Sequence, residues 1–161
     1  MNTAVAEKPK EAAAPRTITS RNFVLPDWTD TRNWLLPRLQ VKWPHLQAVQ
    51  VDGWIRSIID SREFMFIRTP SAVACAQVVR DTLSPVPEAL EKFVVARDRE
   101  DKEHIAECLH LYGDLVRWAQ NLGARDMIVE QFTDVPHKEL TEKIGRLFTR
   151  EIVFVRVAGK G

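Results

Sequence analysis

Between Glu63 and Arg97 the apolar residues stop recurring at helical spacing and fall into three short blocks that read as strands. EFMFIRT (63–69) and AVACAQVVR (72–80) are separated only by Pro70 and Ser71, the mark of an antiparallel hairpin. Pro85-Val86-Pro87 then forces a loop. ALEKFVVAR (89–97) is the third block. Its apolar run from Phe93 to Ala96 fits a strand buried on both faces, which needs helices above and below the sheet.

The flanking segments supply them. ITSRNFVL (18–25) reads as a first short strand ended by Pro26. Asp27 or Thr29 can then cap a helix through Trp34, Leu35 and Leu36, broken or ended near Pro37 and Pro44. HLQAVQVDGWIRSIID, from His45, spaces Leu46, Val49, Trp54, Ile55, Ile58 and Ile59 as a second amphipathic helix, weakened in its middle by Gly53. After the third block, Ile105, Leu109, Tyr112, Leu115, Val116, Ala119 and Leu122 share one face of a third helix that Gly123 closes. DMIVEQF (126–132) is a strand, HKELTEKIGRLFTR (137–150) a helix and EIVFVRV (151–157) a last strand. The expected fold class is α+β: a mixed sheet flanked by helices, in the order β-α-α-β-β-β-α-β-α-β.

Residues 1–15 are rich in Ala, Lys, Glu and Pro and offer little to bury. They are expected to form a disordered arm, either a solvated tail or a tether that orders on a partner, ahead of a single domain over 16–161. With 23 basic and 22 acidic residues, nothing favours nucleic acid or an anionic membrane as partner. No apolar run approaches a membrane span and the start lacks a secretory signal, so a cytoplasmic protein is expected. Cys75 and Cys108 sit in apolar surroundings and are expected to be buried thiols; no histidines or cysteines are paired at metal spacing.

The order of elements resembles the GCN5-related N-acetyltransferase (GNAT) superfamily over about residues 18–157. WAQNLGARDMIVE looks like that family's junction between third helix and fifth strand, through Trp118, Ala119, Gly123, Met127 and Val129. The compact form, with a long loop from Ser84 to Glu88 before the fourth strand, is similar to bacteriophage-encoded members, which would place the chain in a host cytoplasm or a virion. The resemblance implies that the fourth and fifth strands run parallel and diverge at one end, and that acetyl-CoA enters the gap. It also implies that the pyrophosphate rests on the start of the third helix, where free amides and the helix dipole receive anions and glycines allow close approach.

On that pattern Glu103 takes the place of a glutamine or arginine, and Ala106 and Cys108 take the places of two glycines. No glycine lies between Gly53 and Gly113. Glu100, Asp101, Glu103 and Glu107 add negative charge there, either repelling a diphosphate or simply complementing the helix dipole, while Arg97 and Arg99 offer compensation. Val95, Arg97, Arg99, Glu103, Ala106 and Cys108 are therefore the cofactor-binding candidates.

For catalysis the family uses a carboxylate on the fourth strand as base and a tyrosine on the fourth helix as acid. Glu91 is the carboxylate inside the fourth run, a solvent-facing strand residue being its plainer reading. Thr141 stands at the tyrosine position and is the weaker acid. Tyr112, the chain's one tyrosine, is expected in the core. Trp28, Trp34, Trp43 and Trp54 cluster in the first third; core packing explains most of them, and one left exposed would suggest a protein-binding face.

Two main functions follow from the resemblance, with regulatory binding of CoA without turnover as a third. One is an acetyl-CoA-dependent transferase acting on an amine, with a degenerate pyrophosphate loop. The other is an inactive GNAT-like binding or structural protein, such as a virion or assembly component or a host-directed inhibitor, with self-assembly or partner binding through the arm.

Overall fold

A computed structural model describes residues 18–19, 25–129, 132–143 and 153–154. The elements are β1 (Ile18–Thr19), α1 (Leu25–Gln40), α2 (Ala48–Ile58), β2 (Phe64–Arg68), β3 (Ala72–Val79), β4 (Glu88–Ala96), α3 (Lys102–Asn121), β5 (Met127–Val129), α4 (His137–Lys143) and β6 (Val153–Phe154). Their order is the expected one. The arm over 1–15, most of the segment assigned to the first strand, residues 130–131 of the expected fifth strand, the later part of the fourth helix and all of the last strand except 153–154 lie outside the described residues.

One six-stranded sheet runs β1-β2-β3-β4-β5-β6. The first four strands are mutually antiparallel, and β5 and β6 add in parallel. The β2–β3 hairpin closes where Pro70 ends the ladder. Thr69 N–H donates to the Ala72 carbonyl at 2.9 Å, and the Thr69 hydroxyl accepts from Ala72 N–H at 3.1 Å. This side-chain cap replaces the bonds that proline cannot make.

The sheet separates two cores. Alternation along β3 turns Ala72, Ala74, Ala76 and Val78 towards α3, where Leu111, Tyr112, Leu115 and Val116 are buried against them. Small alanines let the helix approach the sheet closely, and each buried leucine contributes about 1.5–3 kcal/mol. Val73 and Cys75 turn the other way and join Phe66, Phe93 and Val95 beneath α1 and α2. Trp28, Leu35, Leu39, Val51, Ile55 and Ile58 cover that face. The third helix ends as expected: Gly123 has φ of 92° and donates its N–H to the Gln120 carbonyl at 2.9 Å.

Three local expectations are corrected. The first helix begins at Leu25, so Pro26 lies in its opening turn, where a missing N–H costs nothing, and neither Asp27 nor Thr29 is its cap. Pro37 does not end that helix; it faces solvent between buried Leu35 and Leu39, and their packing carries the last turn to Gln40. In α2 the buried stripe is Val51, Ile55 and Ile58, while Val49 is 70% exposed.

Candidate functional site

β4 and β5 do run parallel, with Ala89 opposite Met127 and Leu90 opposite Ile128. Further along, where the family's gap would lie, the chain after β5 returns to β4. Val94 N–H donates to the Phe132 carbonyl at 3.1 Å, and the Val94 carbonyl accepts from Asp134 N–H at 2.9 Å. The Asp134 carboxylate accepts from Ala96 N–H at 2.8 Å. Arg38 of α1 donates from Nη2 to both oxygens of the same carboxylate, a charge-assisted contact shared by one nitrogen. Between the two paired stretches β4 advances four residues and the facing chain five, so the seam is irregular yet joined at both ends.

The start of α3 is capped by the chain's own acids. Asp101 accepts from Glu103 N–H at 2.8 Å as N-cap. Asp98 N–H donates to His104 Nδ1 at 3.1 Å, and Asp98 Oδ1 accepts from Glu100 N–H at 2.9 Å. Glu107 is bound to the Thr69 hydroxyl, tying α3 to the β2–β3 turn. Of the four acids expected there, Asp101 caps the helix as the dipole-complementing reading expects.

The six cofactor candidates are spread over several environments. Arg97 is an exposed partner of Asp30 at 3.3 Å, and Arg99 lies 3.7 Å from Glu100. Glu103 and Ala106 face solvent. Cys108 is buried in the α3 core, and its thiol is pushed well above its ordinary value, chiefly by burial and then by Asp134 and Glu107. Cys75 is buried on the opposite face and shifted upward by burial in the same way. Val95 borders a cavity of about 200 Å³ with Arg38, Val41, Arg99, Phe132, Thr133 and Asp134.

Glu91 is not solvent-facing; it has no exposure at all. Its position follows from a β-bulge. Cys75 pairs with Phe93 but Ala76 pairs with Glu91, so Lys92 has no residue opposite it. The extra residue inverts the alternation below it. Simple alternation would put Glu91 with Phe93 and Val95 under α1 and α2; the bulge turns it towards α3 and Tyr112. Tyr112 is fully buried, as expected, and its phenol is held well above its ordinary range. Burial is the largest cause, followed by the charge and the polar contact of the neighbouring Glu91. Thr141 lies in α4, with its side chain outside the described residues. Glu91 and Tyr112 are brought together, while Arg97, Arg99, Glu103 and Ala106 lie at the surface.

The bulge has a second effect that no sequence pattern signalled. It presents Lys92 and Phe93 together to the α1–α2 side. There they line a cavity of about 330 Å³ with Leu39, Trp43, Leu46, Gln50, Val51, Trp54, Phe64 and Gln77. Trp54 and Phe93 are in ring contact at 5.9 Å, and Trp43, 41% exposed, stands at the rim against Phe132 at 5.7 Å. A shallower shelf continues outward along Lys42, Trp43, Pro44 and His45.

Among the described residues no group of three histidines, cysteines or acids is placed to hold a metal, and no helix is long and apolar enough to cross a membrane.

No protein-family model matches the chain, and no curated protein matches it. Solved structures do. The chain is similar to an aminoglycoside N-acetyltransferase, AAC(6')-Iy, solved in complex with CoA. They share 13% identity and a TM-score of 0.51, and the match covers 90% of this chain and 95% of that one. A structure of TTHA1254 from Thermus thermophilus matches at 18% identity and a TM-score of 0.39, over 72% of this chain and 83% of that one. The likeness to AAC(6')-Iy is one of fold: this chain has a GNAT-like α+β architecture, a mixed sheet flanked by helices.

Proposed function

We propose that this chain is a GNAT-fold binding protein that does not transfer acetyl groups. The observation that carries the reading is the joined seam. In a GNAT fold acetyl-CoA enters between the fourth and fifth strands; here Val94 and Ala96 are already bonded to Phe132 and Asp134. The diphosphate end is no better prepared, because Asp101 caps α3 with a carboxylate and Ala106 and Cys108 stand where glycines would admit the phosphates. The residues present do not fit acetyl-CoA. Glu91, sealed beside Tyr112, has no route to an amine and serves as a core residue in this reading.

The acetyltransferase alternative keeps one support. Arg38 and Arg99 border the cavity beside Val95, at the end of β4 where the cofactor would lie. Arg38 is committed to Asp134, however, so the site would have to break its own ion pair first. Calorimetry with acetyl-CoA on the whole chain separates the readings. Binding no tighter than about the high-micromolar range, near −5 kcal/mol, is expected. A dissociation constant of about a micromolar would overturn the proposal and restore the transferase.

A further inference from the structure

We infer that the aromatic cavity under α1 and α2 is a binding site for a planar aromatic carboxylate. The inference rests on the binding reading, since an acetyl acceptor would be an amine, and it names the ligand class that reading leaves open.

Four rings set the shape of the ligand. Trp43, Trp54, Phe64 and Phe93 line a space of about 330 Å³, within the lower range of small-molecule sites. Trp54 and Phe93 are tilted at 50° to one another, so the walls offer both ring faces and ring edges. A flat aromatic body gains most in such a slot, about 0.5–1.5 kcal/mol for each well-placed ring contact.

The charge sets the head group. Lys92 is the single charged residue of the lining, and Gln50 and Gln77 are the other polar ones; no acid contributes. The outer shelf adds Lys42 and His45, again without an acid. An amine would meet a cation of its own sign with no carboxylate to receive it. A carboxylate would meet an ammonium and the amide of Gln77, which lies on the neighbouring strand and lines the same cavity. A bulge costs ladder hydrogen bonds, and here it turns Lys92 to the cavity side of the sheet instead of towards α3. Trp43 at the rim, partly exposed with Lys42 5.0 Å from its ring, leaves the mouth open to a ligand of this size.

The test is calorimetric titration of the whole chain with 2-naphthoate, 2-naphthylmethylamine and the neutral 2-naphthamide, at neutral pH and moderate salt. Naphthoate is expected to bind at least about tenfold more tightly than the amine, with the amide between them. Lys92→Met should remove about tenfold or more of the naphthoate affinity and leave the amide unchanged, while Lys92→Arg retains most of it. Circular dichroism of both variants guards against misfolding, and the Arg variant keeps the test valid if the Met variant fails to fold. Equal or tighter binding of the amine, an unchanged naphthoate affinity in Lys92→Met, or no binding of any of the three compounds would overturn the inference. Tight acetyl-CoA binding would instead overturn the non-catalytic reading, so the two failures are told apart.

Discussion

Glu91 and Tyr112 form a contact between β4 and α3 that matters more to stability than either residue's chemistry would suggest. A buried carboxylate is costly without a polar group close by, and the Tyr112 phenol lies beside it. Tyr112→Phe keeps the ring and removes the donor, so it should destabilise the fold by about 1–3 kcal/mol in denaturant melts. Glu91→Gln removes the buried charge but keeps a hydrogen-bonding group, and should cost less. A larger loss from the Gln variant would show that the charge itself holds the site. The phenol also gives a pH signature. Its folded value lies above the ordinary 10.0 of a phenol, so its contribution is whole below pH 10 and is lost as pH rises beyond it, where only the unfolded chain ionises. The difference in stability between wild type and Tyr112→Phe should therefore shrink above pH 10.

At the scale of elements, α1 and α2 are held together by one polar cluster. Asp52 of α2 accepts from Trp28 Nε1 and Arg32 Nη1 of α1, each at 2.7 Å. Burial alone would raise the Asp52 carboxyl. The hydrogen bonds from Trp28 and Arg32, with the charges of Arg32 and Arg56, outweigh it and hold the group below its ordinary 3.8. A depressed carboxyl stabilises the fold above its unfolded value and stops doing so as pH falls through the folded one. Asp52→Asn should thus be less stable than wild type at neutral pH, by about 1–2 kcal/mol, and the gap should close below about pH 3.8. Thermal melts of the two proteins across that range would check it; a gap that persists at pH 2 would mean the Asn variant disturbs packing. The same helices roof the aromatic cavity, so a loss of order here should also weaken naphthoate binding.

Over the whole molecule, the elements readable from sequence were those with one strong period or one strong punctuation mark. Pro70 and Ser71 placed the hairpin and Gly123 placed the end of α3, because proline and glycine act locally. Alternation alone misplaces Glu91, because the bulge at Lys92 inverts it, and a bulge depends on the pairing strand rather than on the strand's own residues. Asp134 and Arg38 were invisible for the same reason. They lie 96 positions apart, and only the folded chain brings α1 to the seam.

That pair carries the last prediction. The Asp134 side chain bonds both α1 and the end of β4, through Arg38 and the Ala96 amide. Asp134→Ala leaves Arg38 without its partner and Ala96 N–H without an acceptor, both in a largely covered place. The expected cost is about 2–5 kcal/mol. Asp134→Asn keeps an acceptor for Ala96 and should cost less. Hydrogen exchange distinguishes a local from a global effect. If the seam is held by this side chain, exchange in Asp134→Ala should accelerate at Val94 and Ala96 well before it does at Val73 or Cys75 in β3. Uniform acceleration across the sheet would show that the seam is merely part of the cooperative core. Should the variant open the seam and still fail to bind acetyl-CoA, the acids at the start of α3 would be left as the feature that excludes the cofactor.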